Sequence, residues 1–147
     1  MSDTSKRLAS QFAAYQKQNA VQAEAGLQEK KILDQGFIEV RQEFIDKAKA
    51  LCDELNQEPQ VGNILSCYES GNAFSITRSD TGVALTVKFD DMQHKATLSC
   101  DHPAKFREEI HVKPNNNNYW WVSNKDGSTT VKYMAEKAVK ALLGIPF

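Results

Sequence analysis

The chain has 147 residues, of which 41% are hydrophobic and 25% are charged, and its formal net charge is −1. This length suits one domain, and the composition is that of a globular protein rather than a disordered one. A net charge near zero gives no bulk attraction to nucleic acid or to anionic lipid, so neither is expected as a partner. No segment approaches the roughly 20 consecutive apolar residues of a membrane span.

Residues 1–35 predict a helical arm that is set apart from the rest of the chain. Its apolar stripe begins clearly, fades through a polar stretch and returns only near the end. Because no heptad persists for three or four repeats, a regular coiled coil is not expected. A break or bend is predicted at Asp34–Gly36, which leaves a helix or a helical hairpin. The apolar residues of this arm are Leu8, Phe12, Tyr15, Leu27, Ile32 and Leu33.

Residues 36–147 are interpreted as a single α+β domain that opens with an amphipathic helix over 37–57. Pro59 bounds the end of this helix. Apolar residues recur at helical spacing on one face, and a second set seven residues apart widens the stripe. The stripe comprises Phe37, Ile38, Phe44, Ile45, Ala48, Leu51, Cys52 and Leu55.

Between residues 60 and 123 the pattern changes to alternating strands and turns, which predicts an antiparallel meander of five or six strands. Gly71-Asn72 is a short hairpin turn. Period-two alternation sorts the strand residues into an inward and an outward face. The residues predicted to face inward are Val83, Leu85, Val87, Phe89, Ala96, Leu98, Cys100, Ile110 and Val112.

The tail predicts a closing helix that packs on one face of the sheet, with Gly144 as its C-terminal cap. Its start is ambiguous, because residues 128–133 also suit a strand that follows a turn at 124–127. A helix from about residue 129 is preferred. The expected fold is therefore an N-terminal helix or helical hairpin, a meander sheet and a C-terminal helix.

The most unusual stretch is a run of asparagines that leads into three aromatic residues at 119–121. Asparagine favours turns, so a hairpin loop that leads into a core strand is the preferred interpretation. Alternation then places Tyr119 and Trp121 on one face and Trp120 on the other. The alternative is a stacking platform for a small molecule or a glycan. That site would comprise Asn117, Asn118, Tyr119, Trp120 and Trp121, with Arg78 as a weaker candidate.

The cysteines and histidines do not form a recognisable site. The chain has three cysteines, Cys52, Cys67 and Cys100. Because this number is odd and their spacing shows no pairs, free thiols and a cytoplasmic location are expected. His94, Cys100 and His102 share strand parity, whereas His111 lies on the opposite parity. Zinc needs a fuller ligand set than this, so no metal is predicted. A nucleophilic pair of Cys67 or Cys100 with His102 or His111 has no local signature either.

The sequence contains no phosphate loop or catalytic motif, and neither of its two carboxylate doublets is a ready acid/base pair. The doublets Asp90-Asp91 and Glu108-Glu109 are expected in turns and on the surface, because neighbours on a strand point apart. The chain is therefore predicted to be a non-enzymatic protein-binding or assembly module without a cofactor. Its arm would associate with a second copy, as a homodimer, or with another protein.

Overall fold

The computed structural model describes residues 2–103, 105–115, 118–125 and 127–146. It shows one long helix, seven antiparallel strands in chain order and a closing helix. The predicted α+β class is confirmed, but the strand number is seven rather than five or six. The elements are α1 (Asp3–Asn56), β1 (Leu65–Ser70), β2 (Ala73–Arg78), β3 (Ala84–Asp90), β4 (Lys95–Cys100), β5 (Phe106–Asn115), β6 (Asn118–Ser123), β7 (Gly127–Thr129) and α2 (Val131–Leu143).

The helix α1 runs without interruption through the predicted break at Asp34–Gly36, so that prediction is wrong. Gly36 is a packing residue instead. A Cβ atom at this position would lie 2.7 Å from Cγ of Tyr119, so only glycine lets α1 approach β6 this closely. The glycine that suggests a helix break in the sequence is therefore required by a tertiary contact and does not mark a turn.

One face of the sheet carries the core. All the strand residues predicted to face inward are buried except Val83, which is half-buried. The stripe of α1 packs on this face, although Ile38 was assigned to the stripe and is 61% exposed. Its direction is too far from the centre of the stripe to reach the sheet.

The helix α1 crosses the whole sheet, and α2 lies beside it. At one end α1 packs on β6 through Gly36. At the other end the Asn56 side chain hydrogen-bonds the backbone of Leu65 in β1, at 2.8 and 3.0 Å. The helix α2 packs on β3 and β4. Neither helix covers the opposite face of the sheet in the described part of the chain.

Both structures predicted for residues 128–133 are present, first a short strand and then the start of the helix. A short strand, β7, pairs with β6 through residues 127–129. The helix α2 then begins at Val131, two residues after the predicted start. Thr130 caps it by accepting a hydrogen bond from the Tyr133 backbone N–H at 3.2 Å. Gly144 caps its C-terminus with φ of 75°, as predicted.

Glu108 corrects the prediction that both members of its doublet are surface residues. Its side chain is fully buried, whereas Glu109 lies on the opposite face. The alternation itself holds, since these neighbours point apart. Glu108 occupies an inward position among apolar residues because Lys137 of α2 lies 2.6 Å from its carboxylate.

Candidate functional site

The N-terminal half of α1 projects away from the sheet. Every residue from 2 to 31 is exposed, and from here on the arm means this segment, which is shorter than the predicted arm of residues 1–35. At a rise of about 1.5 Å per residue the arm is roughly 45 Å long. Ser2 caps its start by accepting a hydrogen bond from the Ser5 backbone N–H at 3.2 Å, and Asp3 complements the positive helix end.

The arm exposes large apolar side chains that no other part of the described chain covers. Leu8, Phe12 and Tyr15 are 55%, 63% and 64% exposed, and Val21 and Leu27 are similarly open. Four of these five residues were predicted as anchors from the sequence. Val21 was missed, because it lies outside the stripe that the spacing of the others defines.

The first three anchors lie on the side of α1 that packs on the sheet further along the helix. Leu8 and the core residue Phe44 are separated by 36 positions, which is about ten turns of an ideal helix. The apolar face of α1 therefore continues beyond the sheet edge, where it meets solvent. The other two predicted anchors, Ile32 and Leu33, are half-buried at the base of the arm, and Leu33 packs against the core.

Side-chain contacts fix the base of the arm to the sheet. The Nε2 atom of His94 lies 2.6 Å from the Asp34 carboxylate. The Tyr119 hydroxyl donates a hydrogen bond to Glu39 at 3.0 Å. Burial raises the pKa of Tyr119, and this hydrogen bond raises it further. These contacts attach α1 to the sheet at the point where the helix leaves it.

Beside this base lies a surface hollow of about 480 Å³. Ile38 and Met92 form an exposed apolar part of its wall. Arg41 and Asp91, which are 3.6 Å apart, form a charged part. The hollow extends the exposed surface of the arm onto the loop between β3 and β4.

The structure separates the residues of the predicted aromatic platform. Trp121 is buried in the core, and the Tyr119 ring lies against Gly36 beneath α1. Trp120 is 44% exposed on the uncovered face of the sheet. The predicted split of the two tryptophans between faces is therefore confirmed, and of the three aromatic rings of this platform only that of Trp120 is exposed.

The polar members of that platform are not gathered around Trp120. Asn118 accepts a hydrogen bond from the Tyr119 backbone N–H at 2.8 Å, whereas Asn117 lies outside the described residues. Arg78 is on β2, four strands and roughly 19 Å away from β6. It donates hydrogen bonds to Asp80 at 2.7 Å and to the Leu142 carbonyl at 3.3 Å.

The histidines and Cys100 have separate environments. Cys100 is buried and donates to the His102 carbonyl at 2.7 Å, and burial raises the pKa of this thiol. His94 contacts Asp34 at the base of the arm, and His111 lies on the uncovered face. Within the described ranges no three His, Cys, Asp or Glu side chains are arranged to hold a metal ion.

Comparison of the chain with protein-family models, with curated proteins and with solved structures gives no match. No helix in the part of the chain that the structure describes is both long enough and apolar enough to cross a membrane. A functional assignment therefore depends on the contacts and exposures described above.

Proposed function

We propose that the protein is a non-enzymatic assembly module that associates through its arm, with a second copy of itself as the first partner. The exposed apolar residues of the arm carry this proposal. An isolated helix gains most of its stability from packing an apolar face, and the arm packs on nothing in its own described chain. A partner helix would supply that packing.

The size of the exposed residues favours association. Fully burying a side chain such as Leu or Phe contributes about 1.5–3 kcal/mol. Leu8, Phe12 and Tyr15 follow one another along one face, as anchors of a helix-pair interface do. Scattered apolar residues on a surface need no partner, but this row continues the packing face of α1.

A second copy suits the arm because its two halves match in antiparallel order. If two arms cross at residues 17–18, Leu8 of one copy lies level with Leu27 of the other. Phe12 and Tyr15 then lie level with small residues, Ala23 and Ala20. Large side chains opposite small ones let the two helices approach closely.

The charges of the arm favour the same antiparallel order. In this register Arg7 of each copy lies one residue, or about 1.5 Å, from the level of Glu29 of the other. In a parallel pair, each of these residues would instead meet its own like-charged copy. Opposite charges that flank a helix interface set its orientation. A reducing compartment such as the cytoplasm, in which the three cysteines stay free, completes this proposal.

Light scattering across a dilution series tests self-association directly. The full chain should be a dimer, and the triple variant Leu8→Gln, Phe12→Gln, Tyr15→Gln should be a monomer. Glutamine keeps the helix propensity while removing the apolar face. A matched control changes the opposite side of the arm, with Ser10→Gln, Ala14→Gln and Lys17→Gln. It should remain a dimer.

Charge reversal tests the orientation. Arg7→Glu and Glu29→Arg should each weaken an antiparallel dimer, and the double variant should restore it. A monomeric full chain at every concentration would overturn self-association. A dimer that the double variant does not restore would overturn only the antiparallel register.

A small-molecule or glycan site around Tyr119, Trp120 and Trp121 is the second candidate. Its support is the exposure of Trp120 beside Lys113, its partner across the strands. Aromatic faces stack on sugars and on flat ligands. Since Tyr119 and Trp121 are engaged beneath α1 and in the core, such a site would rest mainly on Trp120.

A further inference from the structure

Two cysteines that are far apart in sequence meet between α1 and the edge strand β1. Cys52 is 1% exposed, Cys67 is half-buried, and both are free thiols. Contacts on both sides place them opposite each other, because Lys49 of α1 lies 2.7 Å from Glu69 of β1 and the Asn56 side chain hydrogen-bonds the backbone of Leu65 at 2.8 and 3.0 Å. The contact was not predicted from the sequence, because the two positions lie on different elements and have no motif spacing.

The two thiols have different environments. A hydrogen bond from Cys52 lowers the pKa of Cys67, and the nearby Lys49 ammonium lowers it further, while burial and Asp53 act in the opposite direction. The same hydrogen bond, together with burial, raises the pKa of Cys52. Cys67 is therefore the nucleophilic member, since the thiolate is the reactive form and Cys67 is the more accessible of the two.

Lys49 is held where it can act on Cys67. Its ammonium lies 2.7 Å from the Glu69 carboxylate, and Glu69 shares strand parity with Cys67 on β1. Lys49 precedes Cys52 by three positions on α1, so it lies on the neighbouring turn of the same helix face. The cation and both sulfur atoms thus gather at one contact between helix and strand.

We propose that Cys52 and Cys67 are a peroxide-sensitive thiol pair that closes to a disulfide within one chain. The Cys67 thiolate attacks one oxygen of hydrogen peroxide, the O–O bond breaks, and Cys67 becomes a sulfenic acid while hydroxide leaves and takes up a proton. The Cys52 sulfur then attacks the Cys67 sulfur, and its proton leaves with the hydroxyl group as water. In total, two thiols and one peroxide give one disulfide and two waters.

The disulfide would join the edge strand to α1. Among the described residues β1 pairs with β2 alone, so its other edge has no strand partner there. The bond would close a loop from residue 52 to residue 67 and so restrict the unfolded chain. Cys100 provides an internal comparison, since it is buried and its thiol donates to a backbone carbonyl.

Thiol counting on the full, folded chain tests the proposal. Of the three free thiols of the reduced protein, two should disappear on treatment with hydrogen peroxide, and a dithiol reductant should restore them. Peptide mass spectrometry should find Cys52 linked to Cys67 within a single chain. The oxidised chain should also unfold at a higher temperature than the reduced one.

Single substitutions distinguish the role of Cys67, which reacts with peroxide, from that of Cys52, which closes the disulfide. Cys67→Ser should abolish disulfide formation, and Cys52→Ala should leave a sulfenic acid on Cys67 that dimedone traps. Cys100→Ser is the matched control and should still form the disulfide. Three thiols remaining after peroxide treatment, a link to Cys100, or a link only between chains would each overturn the proposal. The unsubstituted chain alone decides these outcomes, so the test does not depend on whether a variant folds.

Discussion

Lys137 of α2 and Glu108 of β5 form an ion pair inside the core, with 2.6 Å between the ammonium nitrogen and a carboxylate oxygen. Glu108 is fully buried and Lys137 is 6% exposed. Removing two charges from water costs several kcal/mol per ion, and the mutual attraction offsets this cost only while both partners remain. The pair therefore favours the one position of α2 on the sheet in which the two charges lie beside each other.

Lys137→Met should lower the free energy of unfolding by about 3–5 kcal/mol, because it leaves the Glu108 carboxylate buried without its cation. Adding Glu108→Leu to this variant should recover most of that loss, since two apolar side chains can occupy the same space. Urea denaturation measures both effects. Lys132→Met, at an exposed position of the same helix, is the control and should change stability by less than about 0.5 kcal/mol. Equal losses in the single and double variants would contradict this account.

Gly36 and Gly26 make a matched pair of substitutions on α1. Gly36→Ala should destabilise the protein by about 1–3 kcal/mol, because the new methyl group meets the Tyr119 ring. In Gly26→Ala the new methyl group meets no atom within 4 Å. This variant should increase the helicity of the arm, because alanine is about 1 kcal/mol more favourable than glycine inside a helix. Circular dichroism and urea denaturation measure the two outcomes. If Gly36→Ala were as stable as the unsubstituted chain, the close contact of α1 with β6 would be wrong.

Local signals predicted the sheet well. Alternation of apolar and polar residues gave the buried face of β3, β4 and β5, and Gly71-Asn72 gave the first hairpin, because both depend on neighbouring residues only. Local spacing also indicated that the stripe of Leu8, Phe12 and Tyr15 gains little from packing on its own domain, but it left open whether the arm folds back on the sheet. Their stripe is too thin and too interrupted to belong to a core.

Contacts between distant residues were not predictable from one sequence. Gly36 reads as a helix breaker until Tyr119, which lies 83 positions later, is known to pack against it. Glu108 reads as a surface residue until Lys137 lies beside it. In both cases tertiary packing overrides the local propensity. Val21 was missed for a simpler reason, since it lies off the main stripe.

Fluorescence should distinguish the two tryptophans. Trp120→Phe leaves only the buried Trp121, so its emission should be blue and poorly quenched by acrylamide. Trp121→Phe leaves Trp120, whose emission should be red and readily quenched, although this variant also loses a core side chain. Blue emission from both variants would contradict the exposure of Trp120 and would remove the support for ligand binding at this strand.

Tyr119 should ionise late, and its ionisation should weaken the fold. Burial, followed by the hydrogen bond to Glu39, raises its pKa above the ordinary value of about 10. Since the folded state holds the phenol proton more tightly, the stabilisation is fully present below about pH 10 and is lost as the pH rises through the raised pKa. Subtracting the phenolate absorbance titration of Tyr119→Phe from that of the full chain isolates this group.

Two glutamate substitutions test the cause of this shift. Glu39→Gln should lower the pKa of Tyr119, because it removes the negative charge next to the phenol hydroxyl. Glu43→Gln should lower it less, because Glu43 acts on Tyr119 only through its charge. A Tyr119 midpoint at or below about 10 in the unsubstituted chain would show that its ring is not held beneath α1. The close contact of α1 with β6 at Gly36 would then be wrong as well.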